Sequence, residues 1–387
     1  MGLSTTAGLR LWRRFSFAIL VLALVSTSST GAEGETGRSE LSALLSSEID
    51  AGFAVATEPR DFAFPGDHGP HPEYRNEWWY MTGNLEATNG RRFGFELTIF
   101  RFSLTPEQPD SESGWRTNQV YIAHFAVTDA DAERFFVAER FSRGALGLAG
   151  ARAAPFRVWI DDWEIATAES GGDPEHWRLR ADDDEFGLRL DLSAAKAPVL
   201  NGSDGLSQKS AERGNASYYY SITRWRSEGR IRVGSDEYRV SGLAWLDREW
   251  SSSALAADQQ GWDWFALQLD HGSELMFYNL RKTDGSQDAY SAGTWIAADG
   301  NARHIDRDEI SIAVTDSWQS PQGGAYPSAW EIRYPQQDLV LDVRPVMADQ
   351  ELFTTVRYWE GAVDVAGMRD GADVRGRGYV ELTGYVN

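Results

Sequence analysis

One stretch constrains the fold more than any other: Glu77-Trp78-Trp79-Tyr80-Met81-Thr82-Gly83-Asn84-Leu85, the turn Thr88-Asn89-Gly90-Arg91, and the return run Phe93-Gly94-Phe95-Glu96-Leu97-Thr98-Ile99-Phe100-Arg101. Two runs rich in aromatic and β-branched residues flank an Asn-Gly pair, and both turn residues tolerate the positive φ of a type I′ turn. A two-residue turn at Asn89-Gly90 sets Glu77, Trp79, Met81 and Gly83 opposite Phe102, Phe100, Thr98 and Glu96. The other face then carries Trp78, Tyr80 and Thr82 opposite Arg101, Ile99 and Leu97. Both faces are apolar or aromatic, whereas a hairpin with one wet side alternates. Such a hairpin suits a barrel wall, packed on one side and facing a filled or ligand-holding lumen on the other. Glu96 is out of place on an aromatic face, and a carboxylate there needs a partner or a task. The plainer reading pairs it with an arginine at a barrel mouth; the other has it lining the lumen.

The same grammar repeats downstream. Trp262-Asp263-Trp264-Phe265-Ala266-Leu267-Gln268-Leu269-Asp270, the turn His271-Gly272 and the return Glu274–Arg281 echo the first hairpin. Trp78, Tyr80 and Leu85 match Trp262, Trp264 and Leu269 at identical spacing, which points to two similar β domains. Between and beyond the hairpins, short strand patterns recur at meander spacing. Helical periodicity is confined to Leu41, Leu44, Leu45, Ile49 and Phe53, which predict one amphipathic helix over about 39–56. The expected class is all-β: two antiparallel β-barrel domains over 61–252 and 253–387, after a leader and helix over 33–60.

The chain has 387 residues and a formal charge of −21. A surface that negative repels phosphate backbones, so nucleic acid is not an expected partner. Cysteine is absent, which excludes disulfides, thiolate metal sites and cysteine nucleophiles. Residues 1–32 run from Arg10, Arg13 and Arg14 through the apolar run Phe15–Val25 to a small-residue segment ending Thr30-Gly31-Ala32. This is the order of a secretory signal peptide, with cleavage expected near Ala32 and export to the periplasm or medium; a retained anchor is the alternative.

Candidate chemistry is sparse. No nucleophile-elbow, phosphate-loop, zinc-protease or dinucleotide motif occurs. His68 and His71 sit in the Pro/Gly-rich loop Asp61–Tyr74 without an evident third ligand, so no metal is expected, nor any cofactor. His124 shares a strand face with Ile122 and Ala126 and reads as a core histidine before an acid/base group. The best constellation is Val240–Ser251. Alternation places Trp245, Asp247 and Glu249 on one face, and burial beside an indole raises a carboxyl pKa toward that of a general acid. The competing reading ties Asp247 or Glu249 to Arg248, Arg224 or Arg281 at a strand end. Residues 201–216, polar and rich in Gly, Ser and Asn, read as a strap near a binding site.

Several runs resemble the AttH-like family of exported two-domain lipocalin-like proteins, which includes the carotenoid 1,2-hydratases. They are Glu77-Trp78-Trp79-Tyr80 with Thr82-Gly83-Asn84-Leu85; Ala123-His124-Phe125; Ala244–Ser251; Gly261–Phe265; Tyr358-Trp359-Glu360-Gly361; and Gly378–Tyr385. The resemblance implies two lipocalin-like barrels and a site for an apolar ligand. It also implies that Asp247 stands where the hydratase branch has the aspartic acid that protonates a terminal C=C bond. Trp245 stands where that branch tends to have tyrosine. The branch's upstream histidine is missing; Tyr218-Tyr219-Tyr220 occupies the comparable segment. The site expected on this basis has Asp247 as the catalytic acid, with Trp245, Tyr218, Tyr220, Glu249, Trp262, Trp264, His124 and Glu96 around the substrate. The expected partner is a hydrophobic small molecule, with transient membrane contact. An enzyme acting on a C=C bond and a non-catalytic carrier of an apolar ligand both remain open.

Overall fold

The computed structural model describes residues 52–386, apart from 108–109, 111–112, 169–174 and 254. The opening hairpin forms, one residue away from the expected register. Strands Asn76–Ala87 and Arg92–Ser103 pair with Glu77 opposite Arg101, Trp79 opposite Ile99 and Thr82 opposite Glu96. The loop is three residues long, not two: Ala87 N–H donates to Arg91 O and Gly90 N–H to Ala87 O, each at 2.8 Å. Gly90 closes it at φ +86°, the left-handed position that a three-residue hairpin loop asks of its last residue. A one-residue slip exchanges the face of every residue on one strand relative to the other. It therefore moves Glu96 from the Trp79 face to the face of Trp78 and Tyr80.

That face decides the architecture. Trp79, Met81, Phe95, Leu97 and Ile99 fill the interior of the first sheet. Tyr80 instead joins a cluster with Trp264, Tyr278, Ala362 and Tyr379 from the second sheet, with Trp78 packed against it. Both hairpin faces are apolar because one lines a barrel and the other is covered by the second barrel.

All neighbouring strands run antiparallel. Asn76–Ala87 lies between Arg92–Ser103 and Asp236–Ser251, which in turn pairs with Ala216–Val233. The second hairpin, Gln259–Leu269 with Glu274–Lys282, takes the equivalent place in its own sheet, where its first strand pairs with Ala372–Leu382. In each half the leading strand is clasped by the closing strand of that half, so the sequence echo is also a topological one. The fold is an all-β pair of lipocalin-like barrels. The second interior is built from Phe265, Leu267, Trp330, Leu341, Trp359 and Val380, among others.

The expected helix over 39–56 lies almost wholly outside the described residues. Its last described residues, 52–56, carry turn and coil. The Pro/Gly-rich loop is pinned by a buried ion cluster at the mouth of the first barrel. Glu77 takes ion pairs from Arg101 and Arg248. Arg101 also donates to the His71 and Tyr74 carbonyls at 3.0 and 2.8 Å, and Arg248 to the Gly69 carbonyl at 2.7 Å. Despite its burial, Glu77 is held well below the usual carboxylate range by these two guanidiniums.

Candidate functional site

The strand Asp236–Ser251 divides its residues between two compartments by period-two alternation. Leu246 and Trp250 enter the first barrel's core. Arg248 leaves with them, toward Glu77. Trp245, Asp247 and Glu249 point the other way, into the seam between the barrels. There a cavity of about 80 Å³ is lined by Trp78, Tyr80, Thr98 and Phe100 of the first hairpin and by Trp262, Trp264, Tyr278 and Leu280 of the second. Its polar lining includes Asp247, Glu249, Ser217, Ser251, Tyr219, Lys209 and Glu381. Several water-sized spheres fit such a space.

Asp247 is 3 % exposed. Ser221 Oγ donates to its Oδ1 at 2.5 Å, Trp245 Nε1 to the same oxygen at 2.6 Å, and the Tyr219 hydroxyl to Oδ2. Burial pushes its pKa up to about 7; the three donors pull it down, and the Glu249 charge adds to the rise. The arginine reading fails. Arg248 goes to Glu77, Arg224 to Glu274 at 2.5 Å, and Arg281 to Asp263 at 2.9 Å. Glu249 takes a bond from Ser217 and lies 3.4 Å from Lys209 Nζ. Burial works against the Lys209 charge, but Glu249 and Tyr278 outweigh it and raise its pKa, so the ammonium persists. Lys209 also stands 4.2 Å above the Tyr278 ring.

The AttH-like family model matches residues 55–385. The chain belongs to the AttH-like family. An AttH crystal structure from Nitrosomonas europaea superposes with TM-score 0.76 at 34% identity, covering 86% of this chain and 100% of that one. Kievitone hydratase from Nectria haematococca superposes with TM-score 0.63 at 14% identity, covering 86% and 98%, a likeness of fold. No curated protein matches the chain.

This AttH-like chain brings together Trp245, Asp247, Glu249, Trp262 and Trp264. It turns Tyr218 and Tyr220 away. Both lie in the first barrel's core, where Tyr218 donates to the Glu58 carbonyl at 2.8 Å and Tyr220 Oη meets His68 Nδ1 at 2.7 Å. The tyrosine between them, Tyr219, is the one in the cavity; its hydroxyl also accepts from Trp264 Nε1 at 3.2 Å. Cross-strand register carried the missed signal, since Tyr219 sits opposite Glu249 and Ser221 opposite Asp247. His124 is buried in the seam, bonded through Nδ1 to Tyr358 Oη at 2.7 Å and through Nε2 to Glu139 at 3.1 Å. Glu96 is fully buried, and neither oxygen finds a hydrogen-bond partner among the described residues. It is not a mouth carboxylate paired with arginine: burial raises its pKa well above the ordinary range, with the Glu381 charge adding to the rise, so it is held as the neutral acid.

Lys209 and Glu381 were not foreseen from the sequence. Lys209 belongs to the strap predicted over 201–216, which crosses the seam: Ser207 Oγ reaches Tyr278 Oη at 2.9 Å and Thr294 donates to Asn201 at 2.8 Å. His68 and His71 are spent on Tyr220 and Asp67, and among the described residues no group of three or more His, Asp or Glu is placed to hold a metal ion. A larger groove of about 860 Å³ follows the seam elsewhere, past Arg92, Arg224 and Arg377. These three are tied to Asp364, Glu274 and Glu86; Arg344 and Arg375 also line the groove, with Asp270 and Asp342.

Proposed function

We propose that this chain is an exported protein acting on a hydrophobic, isoprenoid- or lipid-like small molecule by acid-catalysed hydration or isomerisation of a C=C bond. The observation that carries this reading is Asp247: a buried carboxyl, free of arginine, holding its proton up to about pH 7 beside an aromatic cavity. Its O–H delivers a proton to one alkene carbon and leaves a tertiary cation on the other. Aromatic side chains of the cavity wall, Trp78, Trp262 and Trp264 among them, would steady that cation through their rings. Ser221, Trp245 and Tyr219 already aim donors at the carboxylate left behind, so the charge that develops is met by preorganised dipoles. Capture by water gives an alcohol; loss of a neighbouring proton gives a shifted alkene. Export rests on the order of residues 1–32, and amino-terminal sequencing of the secreted protein tests it.

Asp247→Asn keeps the shape and the accepted hydrogen bonds at one oxygen but has no acidic proton. Turnover of a terminal isoprenoid alkene should fall by at least about 100-fold with the melting temperature little changed. Retained turnover would sink the proposal. An unmodified apolar ligand co-purifying with both forms, seen by native mass spectrometry, would favour a carrier instead. That second reading draws on the same apolar cavity walls.

A further inference from the structure

The second barrel contributes its own carboxyls to the seam, and the acid reading of Asp247 leaves them without a task. Glu381 lines the Asp247 cavity. Trp262 Nε1 donates to its Oε2 at 3.1 Å. On the neighbouring strand Glu360 stands directly opposite Glu381 in the antiparallel register. Directly opposed side chains share a sheet face with Cβ atoms about 5 Å apart, and like charges there repel. Glu360 is 1 % exposed. The hydroxyl of Tyr80, itself a cavity wall, donates to its Oε1, and its Oε2 has no hydrogen-bond partner among the described residues.

We infer that Glu381, the cavity-facing member of this carboxyl pair, is the base that takes the proton from the water captured by the cation. The inference rests on the acid role proposed for Asp247. Two carboxyls in this position cannot both ionise cheaply, and their environments divide the labour. Glu360 is more deeply buried and keeps its proton: burial raises it well above the ordinary range, with Glu381 and Glu96 adding to the rise. Glu381 is raised to about 7 by burial, with Trp262 opposing and Glu249 and Asp247 assisting, so it ionises near neutrality. Lys209, paired to Glu249, is the cation among the cavity-lining residues.

The step balances. The Asp247 O–H bond breaks and a C–H bond forms with the alkene π pair. Water oxygen bonds to the cationic carbon while one of its protons passes to the Glu381 carboxylate. Returning that proton through solvent to the Asp247 carboxylate resets both groups, and H and OH have been added across the double bond.

Deuterium oxide separates the two half-steps, with farnesol, an isoprenoid alcohol ending in a trisubstituted C=C bond, as the probe. Wild-type protein should incorporate deuterium into the alkene and form the hydrated product. Glu381→Gln should keep deuterium incorporation, lose product formation by at least about tenfold and lose the acidic limb of the pH profile. Hydration by Glu381→Gln at the wild-type rate overturns the inference, as does loss of deuterium incorporation and product together. Failure of the Asp247 reading looks different: Asp247→Asn would then still incorporate deuterium. Independently of any substrate, Glu381→Gln should remove an acid carbonyl band that titrates near neutral pH in the infrared spectrum; an unchanged band overturns the inference.

Discussion

Asp247 and Glu77 show how the same side-chain chemistry is steered in opposite directions by its neighbours. Glu77 is buried against two guanidiniums and stays ionised; Asp247 is buried against neutral donors and stays protonated near neutrality. If Asp247 is the acid, activity should fall as pH rises through about 7, because the proton to be donated is then lost. A pH–rate profile checks this. Glu96 makes the converse point for stability. Its folded pKa is raised, so below the unfolded value near 4.5 both states hold the proton and the penalty vanishes. As pH rises above that, the unfolded chain ionises while the folded one does not. Stability therefore falls, by about 1.4 kcal/mol per pH unit for each such group until its folded pKa is reached. Glu96→Gln should leave the urea midpoint near its wild-type value at pH 4 and raise it at pH 8. An equal midpoint at pH 8 would mean that Glu96 ionises freely in the fold.

At the scale of strands, close approach across the seam fixes where the barrels meet. A Cβ added at Gly94 would come within 2.7 Å of Ala362 Cβ and 3.0 Å of Tyr379 Oη, both in the second barrel. On the partner strand Asn84 Nδ2 donates to the Gly378 carbonyl at 2.9 Å. Gly94→Ala should therefore force the seam apart and cost about 1–3 kcal/mol, the usual range for overpacking. Gly90 offers the control. Its added Cβ meets nothing, so Gly90→Ala should cost only the backbone penalty of positive φ, about 1 kcal/mol. Thermal unfolding of the two variants should rank them in that order.

For the whole molecule, the seam behaves as a third core rather than a contact between independent domains. Beyond its aromatics it is tied by Lys196, whose ammonium donates to the Gly272 and Ala297 carbonyls at 2.7 Å and to Glu274 at 2.6 Å. Arg224 reaches the same Glu274 from the first barrel. Lys196→Met leaves two carbonyls unpaired and a fully buried carboxylate with one cation, which should cost about 3 kcal/mol. Because the seam also shapes the Asp247 cavity, the variant should lose activity at temperatures where wild-type protein is still active; a urea series with activity read in parallel checks this. Retained stability would show that Arg224 alone satisfies Glu274.

Local pattern was enough for the class of fold, the two-hairpin echo, and the grouping of Trp245, Asp247 and Glu249 on one strand face. Period-two alternation and turn chemistry are written in neighbouring residues, and a face follows from them without knowledge of what covers it. What lies opposite a residue is different information. The three-residue loop at Thr88–Gly90, rather than a two-residue one, moved Glu96 across the strand. The register of Ala216–Val233 against Asp236–Ser251 chose Tyr219 over Tyr218 and Tyr220. Whether a carboxyl meets an arginine or an indole depends on residues far along the chain: Glu274 and Asp263 hold Arg224 and Arg281, and Glu381 enters the cavity from the closing strand of the other barrel. The sequence by itself determined which residues face together. Only the docking of one barrel on the other decided which of them share a buried space, because desolvation and charge act through space and take no account of separation along the chain.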